Sequence, residues 1–187
     1  MLKKPSWPCY VKTMSNGAPI TIKRAVLNDA AQIHSVLTEA FSDYYTLLGI
    51  TPPGISESID DIKYDIEHKN VFVARASNTL TVGTVRYKMI GNICYVYRFG
   101  ILPNWQAGGT GEKLFLEVER CAKALKASAI MLHSAAKLSK QVRYYYGQGF
   151  FIHSTDDSNG YIRALFIKEL GGRYNIPEEF LPKGKSE

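Results

Sequence analysis

Residues 71–102 read as three consecutive strands, 71–74, 82–89 and 93–102, separated by the turn pairs Ser77-Asn78 and Gly91-Asn92. Connections this short make the three strands antiparallel neighbours. Helical patterns stand on both sides of the block, so their chains must cross the sheet. The expectation is an α/β (α+β) fold with a mixed, largely antiparallel central sheet flanked by helices, three layers α/β/α.

The remaining segments fit that frame. Residues 20–26 alternate like a strand, and Asn28 or Asp29 can cap a helix with Ile33, Leu37 and Phe41 on one face, flanked by Ala30 and Ala40. Thr51-Pro52-Pro53-Gly54 breaks the chain before a helix carrying Ile59, Ile62 and Ile66. After Pro103 a long helix runs through Leu114, Val118, Cys121 and Leu125. A short strand at 129–133, a helix at 139–146 and a strand pair at 150–153 and 160–167 complete the order. Residues 1–19, with Pro5, Pro8, Pro19 and Asn16-Gly17, read as an irregular arm, residues 20–170 as one domain and residues 171–187 as a tail.

Composition narrows the function classes. No apolar run approaches the ~18 residues of a membrane span, and no apolar stretch follows Lys3 and Lys4 as a signal peptide requires. Cys9, Cys94 and Cys121 are odd in number and widely spaced, which fits small apolar residues in a reducing compartment, the cytoplasm. No Cys/His group has metal-ligand spacing, so no metal is expected. The net charge of +6 is scattered, which favours a solvated surface over a nucleic-acid footprint.

Chemistry concentrates in Phe99-Gly-Ile-Leu-Pro-Asn-Trp-Gln-Ala-Gly-Gly-Thr-Gly-Glu112. An apolar strand stops at Pro103 and turns into a helix through Gly108, Gly109 and Gly111, which keep no side chain between a ligand and the backbone. A helix's first turn has amide hydrogens without intrahelical acceptors and a positive dipole end, a cradle for a pyrophosphate. A Walker loop is excluded because Glu112 follows Gly111, and the Gly184-Lys185-Ser186 tripeptide has Glu179 where the first glycine belongs. A dinucleotide fingerprint is excluded because Leu114 holds the place of its third glycine.

What remains, Gln106-Ala107-Gly108-Gly109-Thr110-Gly111 after Ile101-Leu102-Pro103, resembles the acetyl-coenzyme A motif of the GCN5-related N-acetyltransferase (GNAT) superfamily. Tyr144-Tyr145-Tyr146-Gly147-Gln148-Gly149-Phe150 resembles its second signature, and Ile22-Lys23-Arg24 with Asp29, Ile33, Leu37 and Phe41 its opening strand and helix. The resemblance spans about residues 20–170.

The resemblance implies an acetyl-coenzyme A-dependent N-acetyltransferase that acts by direct attack of an amine on the thioester. Splayed strands would admit the pantetheine arm at the backbone of Phe99 to Ile101, and amides from Gln106 to Gly111 would hold the pyrophosphate. Tyr145 stands at the place of the family's general acid, with Tyr144 or Tyr146 as alternatives. Many relatives carry a Glu as base on the preceding strand, but residues 93–102 contain no carboxylate. A water chain, His133 or solvent is left for that role. Leu138 or Ser139 replaces the Asn that often starts the tyrosine helix.

Arg98, inside an apolar strand, is costly to bury without an anion: it would pair with a substrate carboxylate, with Arg163 as partner, or with an internal Asp or Glu, or it would face solvent. The expected acceptor is therefore a small-molecule primary amine, an amino acid or other carboxylate bearer, entering beside Tyr44–Gly54. Acetylation of a protein N-terminus or lysine and a catalytically silent coenzyme A-binding module are the alternatives. Relatives often dimerise, so a homodimer belongs to the expectation. No nucleic acid or membrane partner does.

Overall fold

The computed structural model describes residues 13–15, 18–52, 54–157 and 159–182. Cys9, the Asn16-Gly17 turn and Gly184-Lys185-Ser186 lie outside the described residues. The elements are β1 (Thr13–Ser15), β2 (Ala18–Arg24), α1 (Ala30–Ala40), α2 (Tyr44–Leu48), α3 (Ile59–His68), β3 (Asn70–Arg75), β4 (Thr81–Ile90) and β5 (Ile93–Ile101). There follow α4 (Thr110–Ala124), β6 (Ala129–Ala135), α5 (Ser139–Gly147), β7 (Phe151–Asp156) and β8 (Arg163–Glu169). Among the described residues eight strands form the order β1-β2-β3-β4-β5-β6-β8-β7. Only β5 and β6 pair in parallel, so the mixed, largely antiparallel sheet stands as expected.

Alternation along the central strands builds the layers. Phe72 and Ala74 of β3 face the core under α4, with Leu114, Phe115 and Val118, while Val71 and Val73 face the one under α1 and α3, with Ile33, Leu37 and Ile62. The face opposite α4 has a second cover. Tyr174, Ile176 and Phe180, from the segment after β8, pack on Ile93, Ala129, Met131, Leu165 and Ile167.

The structure departs from expectation in several places. The arm is not irregular throughout: Thr13–Ser15 pairs with Ala18–Ile20. Asp29 does not cap α1 through its side chain. It accepts the Val26 amide at 2.8 Å and pairs with Arg75, closing a 3-10 turn at Leu27–Asp29. Residues 103–108 form a 3-10 turn ahead of α4, and Leu125, just past its end, is exposed. β7 extends to Asp156, into the polar segment read as a turn. Helix α2 was not foreseen.

One irregularity matters for function. Between Thr84 and Arg86 the partner on β5 moves from Gly100 to Tyr97, so β5 holds one extra residue there. Arg98 sits in this bulge at φ 51°, a left-handed conformation that costs a non-glycine residue about 1–3 kcal/mol. The bulge inverts the alternation. Before it, Cys94 and Val96 join the α4 core; after it, Phe99 and Ile101 do.

Candidate active site

Beyond Val96↔Leu132 the parallel pairing of β5 with β6 ends, although β5 runs on to Ile101 and β6 to Ala135. The two strands part there, and cavities open on either side of Tyr145. One, of about 270 Å³, is lined by Phe99, Gly100, Ile101, Gln106, Gly111 and Tyr144 among others. The other, of about 390 Å³, is lined by Tyr95, Tyr97, Arg98, His133, Tyr161 and Arg163 among others. Phe41, Tyr44, Phe99 and Tyr145 border both.

The glycine turn shapes the first cavity. Gly109 takes φ 77°, open to glycine at no steric cost, and α4 starts behind it with no side-chain cap. Lys113 donates to the Gly109 carbonyl at 3.2 Å, leaving the amides of Thr110, Gly111 and Glu112 as the helix's first turn. A Cβ on Gly111 would lie 3.0 Å from Ile101, 3.1 Å from the Tyr144 hydroxyl and 3.3 Å from Phe99, so only glycine leaves this passage clear. The Gln106 side chain donates to the Ile101 carbonyl at 3.1 Å, bracing the strand end against the turn that holds Ala107 and Gly108. The buried Tyr144 hydroxyl has no partner among the described residues and is available to a ligand.

The three tyrosines of α5 separate by environment. Tyr146 is half exposed, and Tyr144 stacks on Phe99 and borders the first cavity alone. Tyr145 is 6% exposed and wedged among Phe115, Phe150 and Phe166 at ring separations of 5.1–6.2 Å. Gly149, at φ 84°, reverses the chain so that Phe150 donates its amide to the Tyr145 carbonyl at 3.0 Å and packs on its ring. Burial pushes the Tyr145 phenol well above its usual range, so it stays protonated at neutral pH.

In the second cavity Arg98 and Arg163 are the cations, and no carboxylate stands among the described lining residues. Arg98 Nε lies 3.5 Å from Glu57, an internal carboxylate in the loop before α3. No side-chain ion pair of Arg163 appears among the described residues, and in the β7–β8 register it stands opposite Asp156. His133 Nδ1 lies 3.0 Å from the Tyr95 hydroxyl. Burial first, then the nearby Arg163, hold its imidazole down to about 4.

Sequence reasoning missed the network behind Arg98. Arg86, fully buried on β4, lies 2.8 Å from Glu57 and 2.9 Å from Asp65, and the Tyr97 hydroxyl donates to Asp65 at 3.0 Å. A capping box between Ser58 and Asp61 starts α3 just after Glu57 and presents Asp65 two turns on. The signal was available: Arg86 interrupts an apolar strand just as Arg98 does. Sequence reasoning met Tyr44 only as the start of the entry segment Tyr44–Gly54, because α2 is short, leaves Tyr44 only half-buried and shows no periodic trace. Burial pushes its phenol up to about 12, against a hydrogen bond from Gln141 of α5.

Known proteins bear on this geometry. A curated relative, the S-alkylcysteine N-acetyltransferase of Bacillus subtilis (strain 168), is 26% identical over 167 residues, covering 84% of this chain and 90% of that one. Among solved structures, the PaiA N-acetyltransferase of Thermoplasma acidophilum in complex with coenzyme A superposes with a TM-score of 0.70 at 21% identity, covering 80% of this chain and 98% of that one. The ribosomal-protein-S18-alanine N-acetyltransferase of Escherichia coli follows at 0.66 and 12%, covering 84% and 98%. The sequence model of the acetyltransferase (GNAT) family matches residues 33–150, from the middle of α1 to the phenylalanine that closes the tyrosine motif. That stretch is well over half of the chain and contains both the glycine turn and Tyr145, so the chain belongs to the GNAT family and is an acetyl-coenzyme A-dependent N-acetyltransferase.

Proposed function

We propose that the chain acetylates the α-amine of a small amino acid, an S-substituted cysteine or a close analogue, with Tyr145 as general acid. The observation that carries this reading is Tyr145's position between two cavities, one glycine-lined and one cationic. Acetyl-coenzyme A, when bound, would supply an activated acetyl thioester. In the first cavity the backbone of Phe99 and Ile101 would pair with its pantetheine amides, and the main chain of Gln106, Ala107, Gly108, Gly109, Thr110 and Gly111 would hold its pyrophosphate. Gly111 and the unpartnered Tyr144 hydroxyl fit that use.

In the second cavity Arg163 would take the substrate carboxylate. Arg98, already shared with Glu57, would add field more than a direct bond. The neutral Tyr145 phenol would donate to the departing sulfur, and the aromatic walls would exclude water from the thioester. The domain is taken as residues 20–170, with the β1 strand and the segment through Phe180 packed onto it. The same reading places the enzyme in the cytoplasm, where Cys94, whose thiol burial pushes up to about 12, and Cys121 stay unpaired. Among the described residues no helix is long and apolar enough to cross a membrane.

Thiol release from acetyl-coenzyme A tests the acceptor. S-methylcysteine and S-benzylcysteine should turn over, and their carboxyl-free analogues should lose about 10- to 100-fold in kcat/KM, the worth of one charge-assisted hydrogen bond. Arg163→Ala should erase that difference by lowering only the carboxylate-bearing substrates. Equal turnover of both sets overturns carboxylate recognition, and activity confined to peptide N-termini moves the reading to a protein acceptor.

The cofactor side has its own test. Gly111→Val inserts carbon where 3.0 Å is free, and overpacking of this kind should weaken coenzyme A binding by about 10- to 100-fold in calorimetry while far-UV circular dichroism is retained. Unchanged affinity would place the pantetheine elsewhere.

A further inference from the structure

The acceptor of an acetyltransferase arrives as an ammonium ion, which must lose a proton before it can attack. β5 carries no carboxylate, and none lines the second cavity among the described residues. The cavity does hold one hydrogen-bonded pair of neutral titratable groups. Tyr95, on β5 before the bulge, meets Nδ1 of His133, on β6 where the strands part, at 3.0 Å, and both line the cavity.

We propose that Tyr95 and His133 form a proton relay for the acceptor amine, Tyr95 receiving the proton and His133 holding it. The inference rests on the acetyl-transfer reading and deepens it. The segment after β8 encloses the pair: the Phe180 ring stacks on Tyr95 at 4.4 Å and meets His133 edge-on at 5.5 Å. The relay requires the neutral imidazole that is bare on Nδ1, which accepts from the Tyr95 hydroxyl and leaves the phenol's free lone pairs to the cavity.

The step balances. The ammonium passes one proton to Tyr95 Oη as the phenol's own proton moves to His133 Nδ1, giving a neutral amine, an intact phenol and an imidazolium. When the C–N bond forms and the C–S bond breaks, Tyr145 protonates the sulfur and recovers the amine's second proton. His133 then releases its proton through the cavity to solvent.

Besides burial, the groups that set the basicity of His133 are Arg163 from β8, Asp156 from β7 and the Phe180 backbone, and Tyr95 from β5 faces it. Burial and Arg163 lower it, whereas Asp156 and the Phe180 backbone raise it. Burial raises the Tyr95 phenol, Arg163 and Arg98 lower it, and Glu179 and Tyr161 add to the rise. Burial is the larger of the two effects that suppress the imidazole, and a carboxylate bound at Arg163 would offset the smaller one.

Two measurements test the relay. Nitrogen NMR of the imidazole in the resting chain should show His133 protonated on Nε2 and bare on Nδ1; the opposite tautomer overturns the proposal. With the best amine of the panel, Tyr95→Phe, which keeps the ring on Phe180, should lower kcat/KM by about 100-fold near pH 7. The deficit should shrink towards pH 10, where α-amines are already neutral. His133→Gln should show the same pH dependence. A loss equal at all pH values, or none, removes the relay and leaves the acetyl-transfer reading standing. A wild-type chain that fails to bind coenzyme A in calorimetry, or binds it and turns over no amine, removes that reading as well.

Discussion

Tyr145→Phe should lower kcat by roughly 100- to 1,000-fold, the range in which removal of a positioned general acid falls. Coenzyme A affinity should be unchanged, because the lost hydroxyl takes no part in holding the ring. Phe115, Phe150 and Phe166 clasp the aromatic face, and a phenylalanine keeps all three contacts. The phenol suits its role through its environment: burial raises its pKa, so it is fully protonated when a thiolate departs beside it. Tyr144→Phe and Tyr146→Phe are the internal comparisons. Tyr144 touches only the cofactor's cavity, so its loss should appear as weaker coenzyme A binding, and Tyr146 faces outward. A Tyr145→Phe enzyme with wild-type kcat, measured by thiol release under saturating acetyl-coenzyme A, would take the acid role away from this residue.

Arg86→Met should destabilise the protein by about 3–5 kcal/mol, read as a shift in the urea midpoint. The guanidinium is fully buried, and its removal strands Asp65 without a counter-charge and leaves Glu57 with only the more distant Arg98, their side chains being 14% and 11% exposed. The attraction within the cluster is not the source of the effect; the uncompensated carboxylates are. Hence Arg86→Met combined with Glu57→Gln and Asp65→Asn should recover most of the stability. Activity should not recover with it, because Glu57 also holds Arg98 at the mouth of the second cavity. A single variant as stable as the wild type would mean that water reaches the cluster freely.

Much of the fold was legible because the central strands are buried on two faces and their turns are short. Val71–Ala74 alternates cleanly between two cores, and the α4 stripe of Leu114, Val118 and Cys121 is buried as its spacing demands. The glycine turn could be read since φ 77° and a passage too narrow for a Cβ leave glycine as the fitting residue. What escaped has physical causes too. α2 is short and buries nothing, so no periodicity announces it. β1 owes its form to a hairpin with β2 and to no pattern of its own. Arg98 was visible as an anomaly, but its partner Glu57 lies 41 positions away in a loop, and linear distance says nothing about that meeting. Phe180 escaped because it ends a three-residue 3-10 turn after an irregular segment, too short to show any periodicity.

The extra residue in β5 has an evolutionary corollary. A strand normally locks all its positions into one parity, so altering one end re-aims the other. Here the parity resets at Arg98, making Ile93–Tyr97 and Phe99–Ile101 two independent registers within a single strand. Changes ahead of Arg98 therefore need not re-aim Phe99–Ile101, and the two halves of the strand can answer to separate selective demands. Deleting a single codon there would fuse the two registers and forfeit that freedom.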